Sequence, residues 1–280
     1  MPYDQYECLR VRCERGVAFV TIDHPPINLF DLPLIQEMAV LGEELEQDRA
    51  VRVVVFDSAN PDFFIAHADV HLIQQLPSTP PPKPTRLGLF HAMVDRFRTM
   101  PKATIAQIEG RTRGGGSELV LSLDMRFAAR GRAVLAQPEV ALGIIPGGSG
   151  TQRLPRLVGR ARALEIILGC DDIPADLAER WGYVNRALPP DELAPFVRRL
   201  AFRIASFPAA AIALAKRAVD AAEGSTLDGL LAEEHCFNES VATPAARRRM
   251  ARFLALGGQT SEVEREVQAL IARLDEESST

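Results

Sequence analysis

The stretch that decides the fold runs from residue 104 to residue 124 and has the sequence TIAQIEGRTRGGGSELVLSLD. Its start predicts a strand over residues 103–108, and the apolar spacing of Leu119, Val120 and Leu123 predicts a helix after the three glycines. Because glycine has no Cβ, the backbone N–H groups at this helix start can approach another molecule closely, and such groups bind anions or a developing oxyanion. A tight strand-to-helix turn explains the same glycines, so both interpretations stay open.

Strand and helix patterns alternate on both sides of this stretch. Residues 17–22 and 51–56 are apolar and β-branched, as in strands, and apolar residues between Leu34 and Leu45 recur at helical spacing. This alternation predicts an α/β fold. After residue 190 only helical patterns follow, so we expect a core at 1–190 and a helical segment at 191–280. The helices predicted in that segment cover residues 192–207, 209–223, 227–241, 245–256 and 262–274.

The composition of the 280 residues excludes several classes of protein. Hydrophobic residues make up 47% and charged residues 25%, which is typical of a globular protein and not of a disordered or coiled-coil chain. The net charge of −5 is opposite in sign to that of proteins that bind nucleic acid through its phosphates. A small anionic ligand stays compatible with this charge, since it needs only a few local positive groups.

Signals for export, membrane insertion and disulfide bonding are missing from the sequence. No apolar run reaches the roughly 20 residues of a membrane span, and the first residues lack the basic and apolar regions of a secretory signal. The 4 cysteines form no C-x-x-C pair, which predicts reduced thiols. We therefore expect a soluble, cytoplasmic protein with neither nucleic acid nor a membrane as partner.

Three known motifs can be tested against the glycine-rich segments. A P-loop fails because Ser149 stands where the motif requires lysine, although Gly143 and Gly148 have its glycine spacing. A dinucleotide-binding fingerprint fails because Leu119 occupies the place of its third glycine. A nucleophile elbow centred on Ser117 fails because the same leucine occupies its last position. A serine hydrolase is therefore disfavoured.

Two glutamates remain as candidates for acid–base chemistry. Glu118 lies at the predicted helix start before an apolar stretch, and Glu139 follows a strand-like segment at 133–137 and a proline. Burial without a cationic partner raises the pKa of a carboxyl group, and two facing carboxyl groups acquire different pKa values. Such a pair can supply one acid and one base at neutral pH. The alternative is a helix-start charge at Glu118 and a solvated side chain at Glu139.

Several segments carry a resemblance when they are taken together. They are FIAHAD at 64–69, GGGSEL at 114–119, QPE at 137–139, LGIIPGGSGTQRL at 142–154 and VG at 158–159. This combination resembles the enoyl-CoA hydratase/isomerase (crotonase) superfamily over most of the chain. The resemblance implies a spiral of β-β-α repeats followed by helices that assemble trimers or dimers of trimers. It also implies an acyl-CoA substrate, no separate cofactor and no metal ion.

The resemblance further implies a chemical role for four residues. The backbone N–H groups of Ala66 and Gly115 would bind the thioester carbonyl and stabilise the enolate that forms during hydration. Glu118 would activate water, and Glu139 would deliver a proton to Cα. The presence of both glutamates favours hydration of a 2-enoyl-CoA over a Δ3-Δ2 enoyl-CoA isomerase or a hydrolase. A CoA-binding protein without catalysis is the alternative outside the enzymes.

Three departures from the family pattern concern the substrate site. His67 replaces a glycine between two alanines, where a positive φ would strain it. Arg111 and Arg113 replace small residues before the glycines, either to hold a phosphate or carboxylate of the substrate or as solvated loop residues. The lysine-rich end that contacts CoA in the family is missing, and the arginines near Phe253 either substitute for it or form a solvated helix face; they are Arg247, Arg248, Arg249 and Arg252. The predicted substrate-binding residues are His67, Ala68, Asp69, Gly114, Arg111, Arg113 and Phe253.

Overall fold

Two sheets form the frame of the protein, and a computed structural model describes residues 3–221 and 227–274. The strands are β1 (Leu9–Glu14), β2 (Val17–Ile22), β3 (Val53–Ser58), β4 (Phe63–Ile65), β5 (Ala103–Ile108), β6 (Arg111–Arg113), β7 (Met125–Ala129), β8 (Val134–Ala136), β9 (Ile173–Pro174) and β10 (Arg186–Leu188). The helices are α1 (Leu32–Gln47), α2 (Val70–Gln74), α3 (Leu89–Thr99), α4 (Gly115–Ser122), α5 (Gly150–Val158), α6 (Arg160–Gly169), α7 (Ala175–Trp181), α8 (Pro190–Ala205), α9 (Ala209–Asp220), α10 (Leu227–Ala242), α11 (Pro244–Ala255), α12 (Ser261–Arg265) and α13 (Val267–Ile271).

The chain winds through both sheets in a repeating β-β-α order. The larger sheet has the strand order β1-β2-β3-β5-β7-β10, and the smaller one has the order β4-β6-β8-β9. Each of β3, β5 and β7 is followed by one strand of the smaller sheet and then by α2, α4 or a 3-10 helix at Glu139–Leu142. Strands β2 to β10 of the larger sheet pair in parallel, and only β1 runs antiparallel to its neighbour. The predicted α/β spiral is confirmed.

Helices cover both faces of the larger sheet, which explains the continuous apolar run of β3. Val54 and Phe56 point into the core formed with α1 and α3, whereas Val53 and Val55 point into the core formed with α8. A strand that is buried on both faces has no polar side to alternate with. Helix α8 follows residue 190 directly, and it buries Leu193 against the sheet.

The C-terminal helices pack over the smaller sheet and the start of α2. Val267 and Leu270 share a core with Val70, Met250 and Phe253. The helix predicted over residues 262–274 is instead two short helices, because Glu266 adopts φ −124° and ψ 37° outside the helical region. The end of the helix predicted over 209–223 lies outside the described residues.

Helix α9 differs from the other long helices because it buries none of its residues in this chain. Its apolar residues Leu214 and Val219 are 55% and 68% exposed. Neighbouring Phe207 is also exposed. Exposed apolar side chains on a helix that buries none of its residues are candidates for contact with another protein surface.

Candidate active site

A cavity of about 200 Å³ lies between the starts of α2 and α4 and the 3-10 helix at 139–142. Both candidate glutamates line it, beside the backbone of Ala68 and Gly115. The remaining wall is mainly apolar and includes side chains from α1, α2, α3 and α10. Among these apolar residues are Phe30, Ile35, Leu72, Phe90 and Phe237. Such a pocket suits an apolar group whose polar end meets a few fixed polar atoms.

Glu118 lies in the first turn of α4 and is 4% exposed. Its Oε1 accepts hydrogen bonds from the backbone N–H groups of Gly148 (2.7 Å) and Gly150 (2.8 Å). Burial raises the pKa of this carboxyl to about 7, and the nearby Glu233 carboxylate adds to the rise. The two amides oppose that rise because they stabilise the ionised form.

Close packing around Glu118 explains why position 148 is a glycine. A Cβ atom on Gly148 would lie 2.5 Å from Oε2 of Glu118 and would overlap the ring of Phe90. A Cβ on Gly147 would likewise overlap the ring of Phe237. These glycines let the loop that carries the two amides approach the carboxylate directly.

Glu139 is the first residue of the 3-10 helix and is also buried. Its Oε2 has no hydrogen-bond partner among the residues that the structure describes. Burial raises the pKa of this carboxyl well above its ordinary value, and Glu118 raises it further. Gly114 lies beside it at φ +49°, and a Cβ there would come within 2.8 Å of Oε1 of Glu139. A side chain at position 114 would therefore collide with the Glu139 carboxyl group, which explains the glycine there.

The prediction that the Ala66 N–H forms an oxyanion hole is wrong. This N–H donates to the carbonyl of Ile27 at 3.2 Å, so it is already used inside the protein. The contact joins residues far apart in the sequence, and no local pattern indicates it. Two residues further on, Ala68 forms an isolated parallel bridge with Phe30.

The N–H of Ala68 differs from that of Ala66, because the neighbouring bridge does not use it. In the bridge, Phe30 donates to the carbonyl of His67 (2.9 Å) and accepts from the N–H of Asp69 (3.0 Å), so the N–H of Ala68 is not used in it. The Ala68 nitrogen lies 3.6 Å from the point where a Cβ of Gly115 would stand. Gly115 is the first residue of α4, where backbone N–H groups lack intrahelical acceptors. The backbones of Ala68 and Gly115 thus lie next to each other where both residues line the cavity.

His67 does not strain the backbone, because it is not among the residues with positive φ. Its ring is buried; Nε2 lies 2.9 Å from Oε1 of Glu264 and Nδ1 lies 2.8 Å from the carbonyl oxygen of Ala68. Burial lowers the pKa of His67, but Glu264 more than offsets this, and the net direction is upward. Two acceptors around one ring suit the doubly protonated imidazolium. His67 thus joins the strand-to-α2 loop to α12.

Asp69 and Phe253 also contact the C-terminal segment. Asp69 caps α2 by accepting from the N–H of His71 (2.9 Å), and it accepts from Nε2 of Gln259 (2.8 Å). The ring of Phe253 packs edge-on against His67 with 5.7 Å between centroids. Asp69 lines the main cavity, whereas Phe253 lines a smaller neighbouring one of about 30 Å³.

Arg113 and Arg111 both form contacts within the protein. The guanidinium of Arg113 is buried and forms a two-pronged ion pair with Asp172 (2.8 and 2.7 Å). Arg111 donates to the carbonyl of Arg265 (2.9 Å) and lies over the ring of Phe63. Arg113 lines the smaller cavity, and neither arginine lines the cavity of the glutamates.

Two residues of α10 belong to the site and were not predicted. Phe237 lines the cavity, and Glu233 is buried close enough to Glu118 to affect its pKa. Neither residue is part of a motif. Only the helical period of residues 227–241 indicated that α10 had a buried face.

The described ranges, 3–221 and 227–274, contain neither a candidate metal cluster nor a helix that could span a membrane. There, no three His, Cys, Asp or Glu side chains are grouped so that they could hold a metal ion. No helix in the same ranges has both the length and the apolar character needed to cross a membrane.

Comparison with known proteins gives the same family from sequence and from structure. The family model for enoyl-CoA hydratase/isomerase matches residues 12–256. The short-chain-enoyl-CoA hydratase of Clostridium acetobutylicum is 35% identical over 86% of this chain and 92% of its own length. The crotonyl-CoA hydratase of Syntrophomonas wolfei is 34% identical over 89% and 95%, respectively.

Solved structures agree over nearly the whole chain. A Streptomyces avermitilis protein superimposes with a TM-score of 0.88 and 39% identity, covering 96% of this chain and 98% of that one. An enoyl-CoA hydratase from Mycobacterium avium gives a TM-score of 0.78 with 26% identity over 90% and 97% of the two chains. The chain belongs to the enoyl-CoA hydratase/isomerase family.

Proposed function

We propose that this protein adds water across the double bond of a 2-enoyl-CoA thioester. One observation carries the proposal: two buried glutamates with different hydrogen bonding line one cavity beside two adjacent backbone N–H groups. Addition of water to an enoyl thioester needs a base for the water, an acid for Cα and a site for the negative charge on the thioester oxygen.

The N–H groups of Ala68 and Gly115 bind the thioester oxygen in this mechanism. As hydroxide adds to Cβ, the electrons of the double bond move towards Cα and the thioester oxygen, which gives an enolate. Two fixed N–H donors stabilise that charge more than the neutral carbonyl, and each such donor typically contributes about 3 kcal/mol. The Gly115 N–H also lies at the positive end of the α4 dipole.

The two glutamates divide the proton transfers according to their surroundings. Glu118, held by two amides and with a pKa of about 7, takes a proton from water as the oxygen attacks Cβ. Glu139, whose pKa is raised well above its ordinary value, keeps its proton and then gives it to Cα. Glu118 thus gains one proton and Glu139 loses one. The pair returns to its starting state when the product leaves and one proton moves from Glu118 to Glu139.

Other reactions of the family use part of the same site. A Δ3-Δ2 isomerase moves a proton between two carbons of the acyl chain and needs no water-activating base. The amide-bound Glu118 therefore favours hydration. A binding protein without catalysis was expected if His67 deformed the oxyanion site, but its backbone is unstrained.

Crotonyl-CoA is the natural first substrate, because two relatives are named for short-chain and crotonyl thioesters. Hydration is followed as loss of the enoyl-thioester absorbance, and the product is identified by mass as a 3-hydroxyacyl-CoA. No turnover of crotonyl-CoA or of longer 2-enoyl-CoA esters would exclude the proposal. Turnover of a 3-enoyl-CoA alone would replace it with the isomerase.

We also propose that the chain assembles into a homotrimer or a dimer of trimers and works in the cytoplasm without a separate cofactor. The exposed apolar face of α9 supports self-association. Sedimentation velocity tests it, since a single species at the mass of one 30.7 kDa chain would exclude assembly. Activity after extensive dialysis against chelator tests the cofactor, and cell fractionation tests the location.

A further inference from the structure

Glu233 is a buried carboxylate that the mechanism above does not use. It lies on α10 and is 2% exposed, one turn before Phe237 at the cavity. A buried charged carboxylate destabilises the fold unless hydrogen-bond donors surround it. Its contacts therefore indicate its role.

Four donors surround the Glu233 carboxylate. Oε1 accepts from the N–H of Ser149 (2.5 Å) and lies 3.2 Å from Nε2 of His91. Oε2 accepts from the N–H of Thr151 (2.7 Å) and from the hydroxyl of the same residue. An ionised carboxylate is an acceptor only, so this set of donors matches it.

The residues that Glu233 binds alternate with those that bind Glu118. Gly148 and Gly150 donate to Glu118, while Ser149 and Thr151 donate to Glu233. The segment 148–151 thus lies between two carboxylates and directs successive N–H groups to opposite sides. Displacement of one set of N–H groups must move the other.

The backbone conformation of Ser149 is a second, independent reason to expect that contacts from outside the loop fix it in place. Its backbone has φ +113° and ψ −8°, a conformation that a serine rarely adopts. Such a conformation persists only when surrounding contacts fix it. Those contacts include the bond to Glu233, a 3.3 Å bond from its hydroxyl to the carbonyl of Glu118 and a 3.2 Å contact with the hydroxyl of Ser122.

We propose that Glu233 is a positioning residue, which holds segment 148–151 so that the Gly148 and Gly150 N–H groups meet the Glu118 carboxylate. The predicted effect of Glu233 on rate rests on the proposed hydration, whereas its positioning of segment 148–151 does not. Since Glu118 acts on water and not on the thioester, the variant effect should fall on kcat more than on KM.

Glu233→Gln is the first test. Whichever way the amide is oriented, its NH2 group faces the donors of Ser149 or those of Thr151, so one side of the loop loses its acceptor. We expect the plateau value of kcat for crotonyl-CoA to fall about 100-fold, because small displacements of a catalytic group have effects of this size. KM should change by less than about threefold.

The pH profile separates positioning from a simple charge effect. Glu118, Glu139, His91 and Arg153 are the charged groups that interact with Glu233. If Glu233 acted only through its charge, its loss would move the acid limb of kcat and leave the plateau intact. A lowered plateau is the expected result, and an unchanged plateau with a shifted limb would overturn the proposal.

Neighbouring residues provide matched controls. Glu234→Gln removes the adjacent carboxylate, which accepts from the N–H of Gly88 (3.1 Å) and docks α10 without touching the loop, so kcat should stay near that of the wild type. Thr151→Val removes the hydroxyl that donates to Glu233 and accepts from Nε2 of Gln152 (3.1 Å), and it should cost several-fold in kcat, about the effect of one hydrogen bond. Thr151→Ser keeps that donor and should restore the rate.

Deuterium uptake by the 148–151 amides gives a readout that needs no turnover. Uptake should be faster in Glu233→Gln than in the wild type and unchanged in Glu234→Gln. Equal uptake in all three proteins, or an equal loss of kcat in both glutamine variants, would overturn the positioning role. If the wild type does not hydrate crotonyl-CoA, the proposed function fails, while the uptake still decides the role of Glu233.

Discussion

The start of α4 and the 3-10 helix at 139–142 each bring one glutamate to the same cavity, and they leave these side chains in different surroundings. Glu118 receives two backbone N–H groups on one oxygen. Glu139 has an oxygen with no partner in the described part of the chain. Both are buried, so burial alone does not distinguish them.

The difference shows how a fold gives two identical side chains opposite tasks. N–H donors favour the charged form of a carboxyl group, and their absence favours the neutral form. Burial raises the pKa of both carboxyl groups, that of Glu118 to about 7, and the proposed mechanism uses an ionised Glu118 and a protonated Glu139. The charge of each glutamate also disfavours ionisation of the other, so the two titrate as a pair.

Glutamine in place of either glutamate should have the largest effect. Glu118→Gln and Glu139→Gln should each lower kcat by about 10²- to 10⁴-fold, since each removes one proton transfer. The double variant should be little worse than the poorer single one, because the two groups act as a unit. Steady-state kinetics with crotonyl-CoA measures all three, and full activity in either single variant would refute its role.

A methyl group at position 148 should disturb Glu118 without removing it. In Gly148→Ala the new Cβ would stand 2.5 Å from Oε2 of Glu118, so the carboxylate must move. We expect kcat to fall about 100-fold. Gly169→Ala is the control, because its Cβ would meet only Asp171 at 3.8 Å. Equal kinetics in the two variants would show that the position of the Glu118 carboxylate does not matter.

The pH dependence of kcat/KM should show the ionisation of both Glu118 and Glu139. Glu118 must be ionised to act as base, so activity should fall about tenfold per pH unit below its pKa of about 7. Glu139 must be protonated, so activity should also fall at a higher pH. A profile that is flat down to the ordinary range of glutamate would exclude Glu118 as a buried base.

The free energy of unfolding should change with pH in the opposite direction to activity, and by a smaller factor. Since folding raises the pKa of Glu118 from 4.5 to about 7, the folded state is favoured at low pH and loses stability as pH rises through this window. Glu118→Gln keeps an oxygen for both amides and removes the cost, so it should be more stable by about 1 to 3 kcal/mol at pH 8. Urea unfolding at pH 5 and pH 8 measures this, and an equal effect at both values would argue against it.

Sequence patterns predicted the frame of the molecule because its elements are local. The apolar run at 51–56 and the strand, glycine and helix series around residue 110 depend on side chains that are close in the chain. The break in the helix at Glu266 was missed because the helical spacing of apolar residues continues through this position. The packing of Val267 and Leu270 in the core determines where the helix breaks.

The site was predicted in part, and its errors share one physical cause. Glu118 and Glu139 were found because their chemistry is in the side chain. The use of the Ala66 N–H by Ile27, the pairing of Arg113 with Asp172 and the approach of Glu233 to the loop are contacts across the fold. Backbone donors and long-range partners leave no mark in residue type or spacing.

A carbon-13 NMR titration of the glutamate carboxyl groups measures the contrast between the two residues themselves. The δ-carbon signals of Glu118 and Glu139 are assigned by their loss in the two glutamine variants. We expect both groups to titrate above the ordinary range of a glutamate, and we expect Glu118, whose charge two amides stabilise, to ionise first, near pH 7. If both groups titrate at the ordinary value of a glutamate, or if Glu139 ionises first, the division of base and acid proposed for this site is wrong.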